Sequence, residues 1–357
     1  MRDPPTFEVS SGARLHARSC QGVDMAKPPT MRAIVLHRPG SPENLEIEDL
    51  PIPEPLPGWV RIAVRSFGLN RSEVHLRLGL ADNVTLPRVP GIEAVGVIDD
   101  ANGTDLAEGQ QVAALMGGMG RAFDGGYAEY TVVPRQSVVP FQSNLPWSVL
   151  GQVPETLQTA YGSLTTGLDL QPGDTLLIRG GTSSLGFAIA ALARDLGATV
   201  LATTRRRDRL DLLAERGVDH PLIDDGHVAE QVRSHFPDGI DAGVELVGTP
   251  TLPDTLAAMK VHGTVCFVGM LSNEWIVKDF YPIDYLPNGV RLSAYGGEAD
   301  DLPAPVLQRF LDRIADGSID LGPATTYRLA DIPKAHADID ANRVAGKLVG
   351  LTAEVNE

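Results

Sequence analysis

The chain has 357 residues, 43% of them hydrophobic and 21% charged, enough to bury two domains or one large domain with an insertion. A formal net charge of −16 disfavours nonspecific binding to nucleic acid or anionic lipid. No apolar run reaches the ~18 residues that span a bilayer. Two cysteines, Cys20 and Cys266, exclude a disulfide framework and a four-thiolate zinc site, and they fit a reducing, cytoplasmic setting.

Residues 1–30 are irregular, with Pro4, Pro5, Pro28 and Pro29. They lack the apolar core of a secretory signal. Arg2, Arg14 and Arg18 suit a transit peptide, but Asp3, Glu8 and Asp24 do not. The segment reads as a disordered extension or an upstream mis-assigned start. Met31-Arg-Ala-Ile-Val-Leu36 opens the folded unit. Val60–Arg65 alternates apolar and polar residues like a half-buried strand. Ala94–Ile98, Gln111–Leu115 and Tyr127–Val133 follow, closely punctuated by Gly and Pro. This predicts a mostly β module, a partly open barrel.

The rhythm changes near Gln152. Strands at Thr175–Arg179, Val200–Thr204, Leu222–Ile223, Ala242–Leu246, Val265–Val268 and Arg291–Ala294 alternate with helical stretches. That alternation predicts an α/β unit, a doubly wound parallel sheet covered by helices on both faces. The helix over Phe187–Leu196 stops at Gly197, and another from Pro305 to Asp316 stops at Gly317. Cys266, inside an apolar strand, is expected in the core. The tail reads as a helix from Ala335, a turn at Gly346 and a strand Lys347–Leu351. That last strand has no place in the parallel sheet, so it is expected to return to the first module.

The richest segment is Thr175–Arg209: strand, small-residue turn, apolar helix, second strand, arginines. The turn is Gly180-Gly181-Thr182-Ser183-Ser184-Leu185-Gly186. Small residues there let backbone N–H groups approach a pyrophosphate, and the helix N-terminus adds its positive end. The motif departs from G-x-G-x-x-G at Ser183, whose hydroxyl offers a donor to a phosphate oxygen. NAD sites place Asp or Glu after the second strand to hold the ribose 2′-hydroxyl. Here that end reads Thr203-Thr204-Arg205-Arg206, with no acid before Asp208. A carboxylate repels a 2′-phosphate, whereas a guanidinium pairs with it. The cofactor is therefore expected to be NADPH, held by Thr204, Arg205 and Arg209. Some of these arginines read equally well as a solvated helix start.

Six motifs occur in order: Ser66-Phe-Gly-Leu-Asn70, Pro90-Gly-Ile-Glu-Ala-Val-Gly96, Gly125-Gly-Tyr-Ala-Glu-Tyr130, Gln158-Thr-Ala-Tyr161, Gly180–Gly186 and Gly346-Lys347. With them the chain resembles the medium-chain dehydrogenase/reductase superfamily, in its zinc-free, quinone-oxidoreductase-like branch. The resemblance implies a GroES-like barrel (31–150 and 296–357) with an inserted Rossmann domain (151–295) and an active site in the cleft between them. It also implies a homodimer joined through Rossmann edge strands, at Thr264–Val268 or near Arg291–Tyr295. Zinc-dependent relatives carry a Cys ligand where this chain has Asn70 and a His ligand where it has Ile92. Glu155 falls roughly where a third ligand would come. Asn70 and Ile92 do not serve as such ligands, so no metal is expected, and Glu155 reads as an ordinary helix residue.

The resemblance places Asn70, Thr159, Val247-Gly248 and Phe267-Val268-Gly269 around the nicotinamide. Asn70 offers a neutral amide donor to a substrate carbonyl or to a ribose hydroxyl, or it is an ordinary turn residue. Thr159 packs or hydrogen-bonds behind the nicotinamide. Lys347 either reaches a cofactor hydroxyl or is a solvated charge at a strand start. The expected activity is NADPH-dependent reduction of an electron-poor carbonyl compound, a quinone first. The alternatives are reduction of a conjugated C=C bond in enals, enones or enoyl thioesters, and a non-catalytic NADPH-binding redox sensor or RNA-binding protein. The net charge argues against RNA.

Overall fold

A computed structural model describes residues 29–81, 84–274, 276–322, 324–341, 343–344 and 346–352. Cys20 and residues 1–28 of the expected extension lie outside them. The first half follows the alternating pattern. The elements are β1 (Thr30–Leu36), β2 (Leu45–Pro51), β3 (Trp59–Leu69), α1 (Arg71–Arg77), β4 (Glu93–Asp100), β5 (Gln111–Leu115), β6 (Tyr130–Pro134) and β7 (Val138–Pro140). Two helices, α2 (Trp147–Leu150) and α3 (Pro154–Gly162), lead into the second half.

There the chain alternates through β8 (Thr175–Arg179), α4 (Ser184–Leu196), β9 (Thr199–Thr204), α5 (Leu210–Glu215), β10 (His220–Ile223), α6 (Val228–His235) and β11 (Ile240–Glu245). It continues through α7 (Leu252–Ala257), β12 (Met259–Phe267), α8 (Pro282–Tyr285) and β13 (Arg291–Ala294). The last elements are α9 (Ala304–Ala315), β14 (Ala324–Arg328), α10 (Ile332–Asp340) and β15 (Lys347–Leu351).

The six strands run in the order β10-β9-β8-β11-β12-β13, all parallel. This is the Rossmann order, with its switch point between β8 and β11, where the crevice for a dinucleotide opens. β13 is an edge strand. Cys266 is fully buried in β12, as expected. The apolar face of α9 packs into the same core as α4 and the barrel residues Leu115, Val139 and Phe141.

The other large sheet runs β14-β15-β3-β4-β5-β7, with β6 also on β3. The C-terminal strand does return: β15 lies antiparallel to β3, with Leu348 opposite Leu69 and Leu351 opposite Ser66. This register delivers Lys347 to the level of Asn70. The parallel partner β14 was not read from the sequence, because Ala-Thr-Thr-Tyr-Arg carries little apolar periodicity. The strand expected from Tyr127 begins only at Tyr130. Residues Gly125–Tyr127 instead wrap Gly91: Gly126 N–H donates to Gly91 O, and a Cβ at Gly125 would lie 2.2 Å from that oxygen. Tyr127 is thereby fully buried and stacked on Phe67 at 4.6 Å.

Candidate active site

At the tip of β8 the turn is built for close approach. A Cβ at Gly181 would lie 2.6 Å from Ala202 Cβ, and one at Gly186 would lie 2.7 Å from Gly181 O. Both glycines are required so that α4 can pack against the strands. Ser183 is the N-cap of α4. Its Oγ accepts from Gly186 N and donates to Gly180 O, each at 3.0 Å. The hydroxyl proton expected for a phosphate oxygen is thus spent inside the turn, and the serine does the work of a cap. Ser184 and Leu185, the first residues of the helix, leave their backbone N–H groups without a partner among the described residues, and Thr182 beside them is half-buried.

The residues after β9 separate by role. Thr204 is buried, and its Oγ1 accepts from Arg206 N at 3.2 Å. Arg206 is ion-paired with Asp208, so it belongs to the solvated helix start. Arg205 is exposed and has no ion pair among the described residues. Arg209 is half-buried, close enough to Asp208 to help hold that carboxyl below its usual range, after the hydrogen bond from Arg206.

The strand ends around Gly180 are held from below by charges that sequence reasoning did not single out. Arg179, fully buried, pairs with Asp224 at 2.6 Å and Asp254 at 2.7 Å. Glu245, also buried, accepts from Val247 N at 2.7 Å, Gly248 N at 2.9 Å and Thr255 Oγ1 at 2.6 Å. Burial pushes the Glu245 carboxyl up, against these donors. Val247 and Leu271 lie over Gly180, within 3.4 Å of a Cβ built there. Phe267 and Gly269 are half-buried at the end of β12.

On the barrel side, four elements converge. Asn70 stands between β3 and α1, Glu93 starts β4, Glu155 lies in the first turn of α3, and Lys347 starts β15. Lys347 Nζ donates to Asn70 Oδ1 at 2.5 Å and Glu155 Oε2 at 3.3 Å, and it is ion-paired with Glu93 Oε1 at 3.1 Å. Asn70 Nδ2 donates to Glu93 Oε1 at 2.9 Å, and Glu93 Oε2 accepts from Glu155 N at 2.9 Å. Thr159 Oγ1 donates to Glu155 Oε1 at 3.0 Å. Glu73, 1% exposed, accepts from Asn70 N at 2.8 Å and Ile92 N at 2.9 Å.

Burial pushes the Glu73 carboxyl up to about 7 despite those two N–H donors. Burial alone would lower the Lys347 pKa, but the carboxylates of Glu93 and Glu155 outweigh it and hold it above the ordinary lysine value. The reading of Lys347 as a solvated charge fails, because its side chain is 5% exposed and fully engaged. Gly68 makes the cluster possible: a Cβ there would lie 2.1 Å from Glu93 Oε1 and 2.6 Å from Lys347 Cε.

Glu73, Glu93 and the partner role of Glu155 were missed, although Glu73 carries a signal. It sits three residues after Asn70, the spacing at which an acid reaches back to an N-cap backbone N–H. At the rim, His75 on α1 hydrogen-bonds Asn273 across the cleft, and burial holds its imidazole below the usual value.

A zinc ion does not fit these residues. The Asn70 oxygen and the Glu155 carboxylate, which would have to face a metal, both face the Lys347 ammonium, and Ile92 offers no side-chain donor.

Two family models match the chain: "Alcohol dehydrogenase GroES-like domain" over residues 56–143 and "Zinc-binding dehydrogenase" over 184–311. The probable quinone oxidoreductase of Schizosaccharomyces pombe is 25% identical over 331 residues, covering 90% of this chain and 97% of that protein. The chain spans only 8–12% of the length of the polyketide synthases it also matches. Among solved structures, AibC superposes with a TM-score of 0.81 at 28% identity, covering 91% of this chain and 96% of that one. The mycobacterial protein Rv1454c, solved in complex with NADPH, superposes with a TM-score of 0.78 at 24% identity over 90% of this chain and 100% of that one. With the motif order, the six-stranded Rossmann sheet and the GroES-like domain all in place, the chain belongs to the medium-chain dehydrogenase/reductase superfamily and is similar to its quinone oxidoreductases.

Proposed function

We propose that this oxidoreductase is an NADPH-dependent reductase that works without a metal and delivers hydride to an electron-poor acceptor, a quinone in the first instance. The observation that carries the cofactor choice is Arg205, exposed and without an ion pair among the described residues at the end of β9, where no acid precedes Asp208. NADPH, when bound, supplies the hydride. The chain's own part is alignment. Gly180–Gly186 holds the pyrophosphate against the first N–H groups of α4, and Thr204, Arg205 and Arg209 take the 2′-phosphate. Val247, Phe267 and Gly269 flank the nicotinamide. Asn70 and Thr159 face the acceptor, whose oxygen gains negative charge as hydride arrives and is met by the Asn70 amide hydrogen.

The division into a barrel (31–150 and 296–357) and a Rossmann domain (151–295) accompanies this reading. So does a homodimer through the β13 edge, where Leu292 is exposed. Light scattering tests the dimer.

Reduction of a conjugated C=C bond is the second reading, because it needs the same hydride geometry, and polyketide synthases are among the relatives. Steady-state NADPH oxidation with a simple quinone and with an enone separates the two. No turnover with either sinks both, and NADPH binding without turnover over a broad panel favours a sensor.

A further inference from the structure

Lys347 is a strange residue to find where it is. Its ammonium is almost wholly removed from water, a condition that a lysine meets only when carboxylates surround it. Replacing a buried ion pair by apolar side chains of similar volume is often neutral or stabilising, so stability alone does not explain the cluster. Four separate elements send a side chain to it, and Gly68 leaves room for two of them.

The hydrogen count explains what the arrangement achieves. The ammonium donates to Asn70 Oδ1 and Glu155 Oε2 and is ion-paired with Glu93 Oε1. The Asn70 oxygen is taken by Lys347, and one amide hydrogen is taken by Glu93. One amide hydrogen remains, on a side chain that is half-buried at the cleft. Glu155 passes the constraint on to Thr159 through its other oxygen.

We propose that Lys347 is a positioning residue, a tethered internal cation that locks the Asn70 amide with its oxygen inward and its free N–H toward the acceptor. This rests on the reductase reading above and assigns Lys347 a role in the barrel rather than a contact with the cofactor. Two facts support it: the ammonium engages the oxygen of Asn70 and not its nitrogen, and the carboxylates keep it charged. Without the cation only the Glu93 carboxylate, through one amide hydrogen, still orients the side chain. Any turn of the loosened amide brings its oxygen toward the growing negative charge and replaces a stabilising donor by a repulsive acceptor.

The test is a double-mutant cycle with Lys347→Met and Asn70→Ala, with kcat, KM and the Kd for NADPH measured for each enzyme. Lys347→Met is expected to lower kcat by roughly 100-fold, the order seen when one such donor is lost. The Kd for NADPH should stay within about twofold. The double variant should be no slower than Asn70→Ala alone, because Lys347 acts through Asn70. Two results overturn the proposal: Lys347→Met with wild-type kcat and a Kd for NADPH raised tenfold, or kcat losses that multiply in the double variant. Should the methionine variant fail to fold, Lys347→Gln, which keeps a polar tip, is read by the same criteria. A wild type that turns over no acceptor is a different outcome: it sinks the reductase reading itself and this proposal with it.

Discussion

Substituting Gly68 by alanine tests the packing behind the site with a single methyl group. The new Cβ would fall 2.1 Å from Glu93 Oε1, 2.6 Å from Lys347 Cε and 2.9 Å from Glu93 Cδ. None of these atoms is a free side-chain tip, since the carboxylate and the ammonium are paired with each other and with Asn70. Glu93 must therefore move off its partners, or β3 must shift against β4 and β15. Overpacking of this kind costs about 1–3 kcal/mol. Partial loss of a buried pair adds to it, since complete loss of one partner costs about 3–5 kcal/mol. A total of about 2–4 kcal/mol is expected, seen as a fall in Tm of roughly 3–5 °C for a chain of this size. Because Glu93 also holds Asn70, kcat should fall as well. Gly296→Ala is the control: nothing lies within 4 Å of a Cβ there, so its Tm should hardly change. Thermal unfolding and steady-state kinetics of both variants make the assay. A Gly68→Ala enzyme with the Tm and kcat of the wild type would refute the packing argument.

Arg205→Ala should reduce the preference for NADPH over NADH by roughly ten- to a hundredfold, the order expected for a lost charge-assisted bond. Arg206→Ala should leave that preference unchanged, because its guanidinium is already paired with Asp208; kcat/KM ratios for the two cofactors decide it. Ser183→Ala removes the cap of α4 and should cost about 1 kcal/mol in thermal unfolding, whereas Ser183→Gly should cost only a few tenths. Glu73 has its folded pKa raised from 4.5 to about 7. In that window the native state binds more protons than the unfolded one, so this group's stabilisation is fully present below about 4.5 and is lost as pH rises through about 7. The Tm of the wild type should therefore fall with pH across that range, and Glu73→Gln should flatten the slope. Equal slopes would show that Glu73 is ionised throughout.

Much of the architecture was legible because it rests on local signals. The strand ends of the Rossmann sheet, the stop of α4 at Gly197 and the burial of Cys266 all follow from apolar periodicity and turn residues. β14 was not legible, because a short polar strand gains its identity from its neighbour β15. Tyr127 was misread as part of a strand, since the close approach of Gly125 and Gly126 to Gly91 is a contact across 34 positions of chain for the first of them.

The sequence by itself determined the fold family, the cofactor turn and the absence of Cys and His at positions 70 and 92. These are properties of residue type and order along a few tens of residues. Only the tertiary structure decided what stands there instead. Asn70, Glu93, Glu155 and Lys347 are scattered over 277 positions between the first and the last, and no periodicity links them. Their charges meet because β15 returns to pair with β3, and a buried ammonium keeps its proton only among the carboxylates that this pairing brings to it.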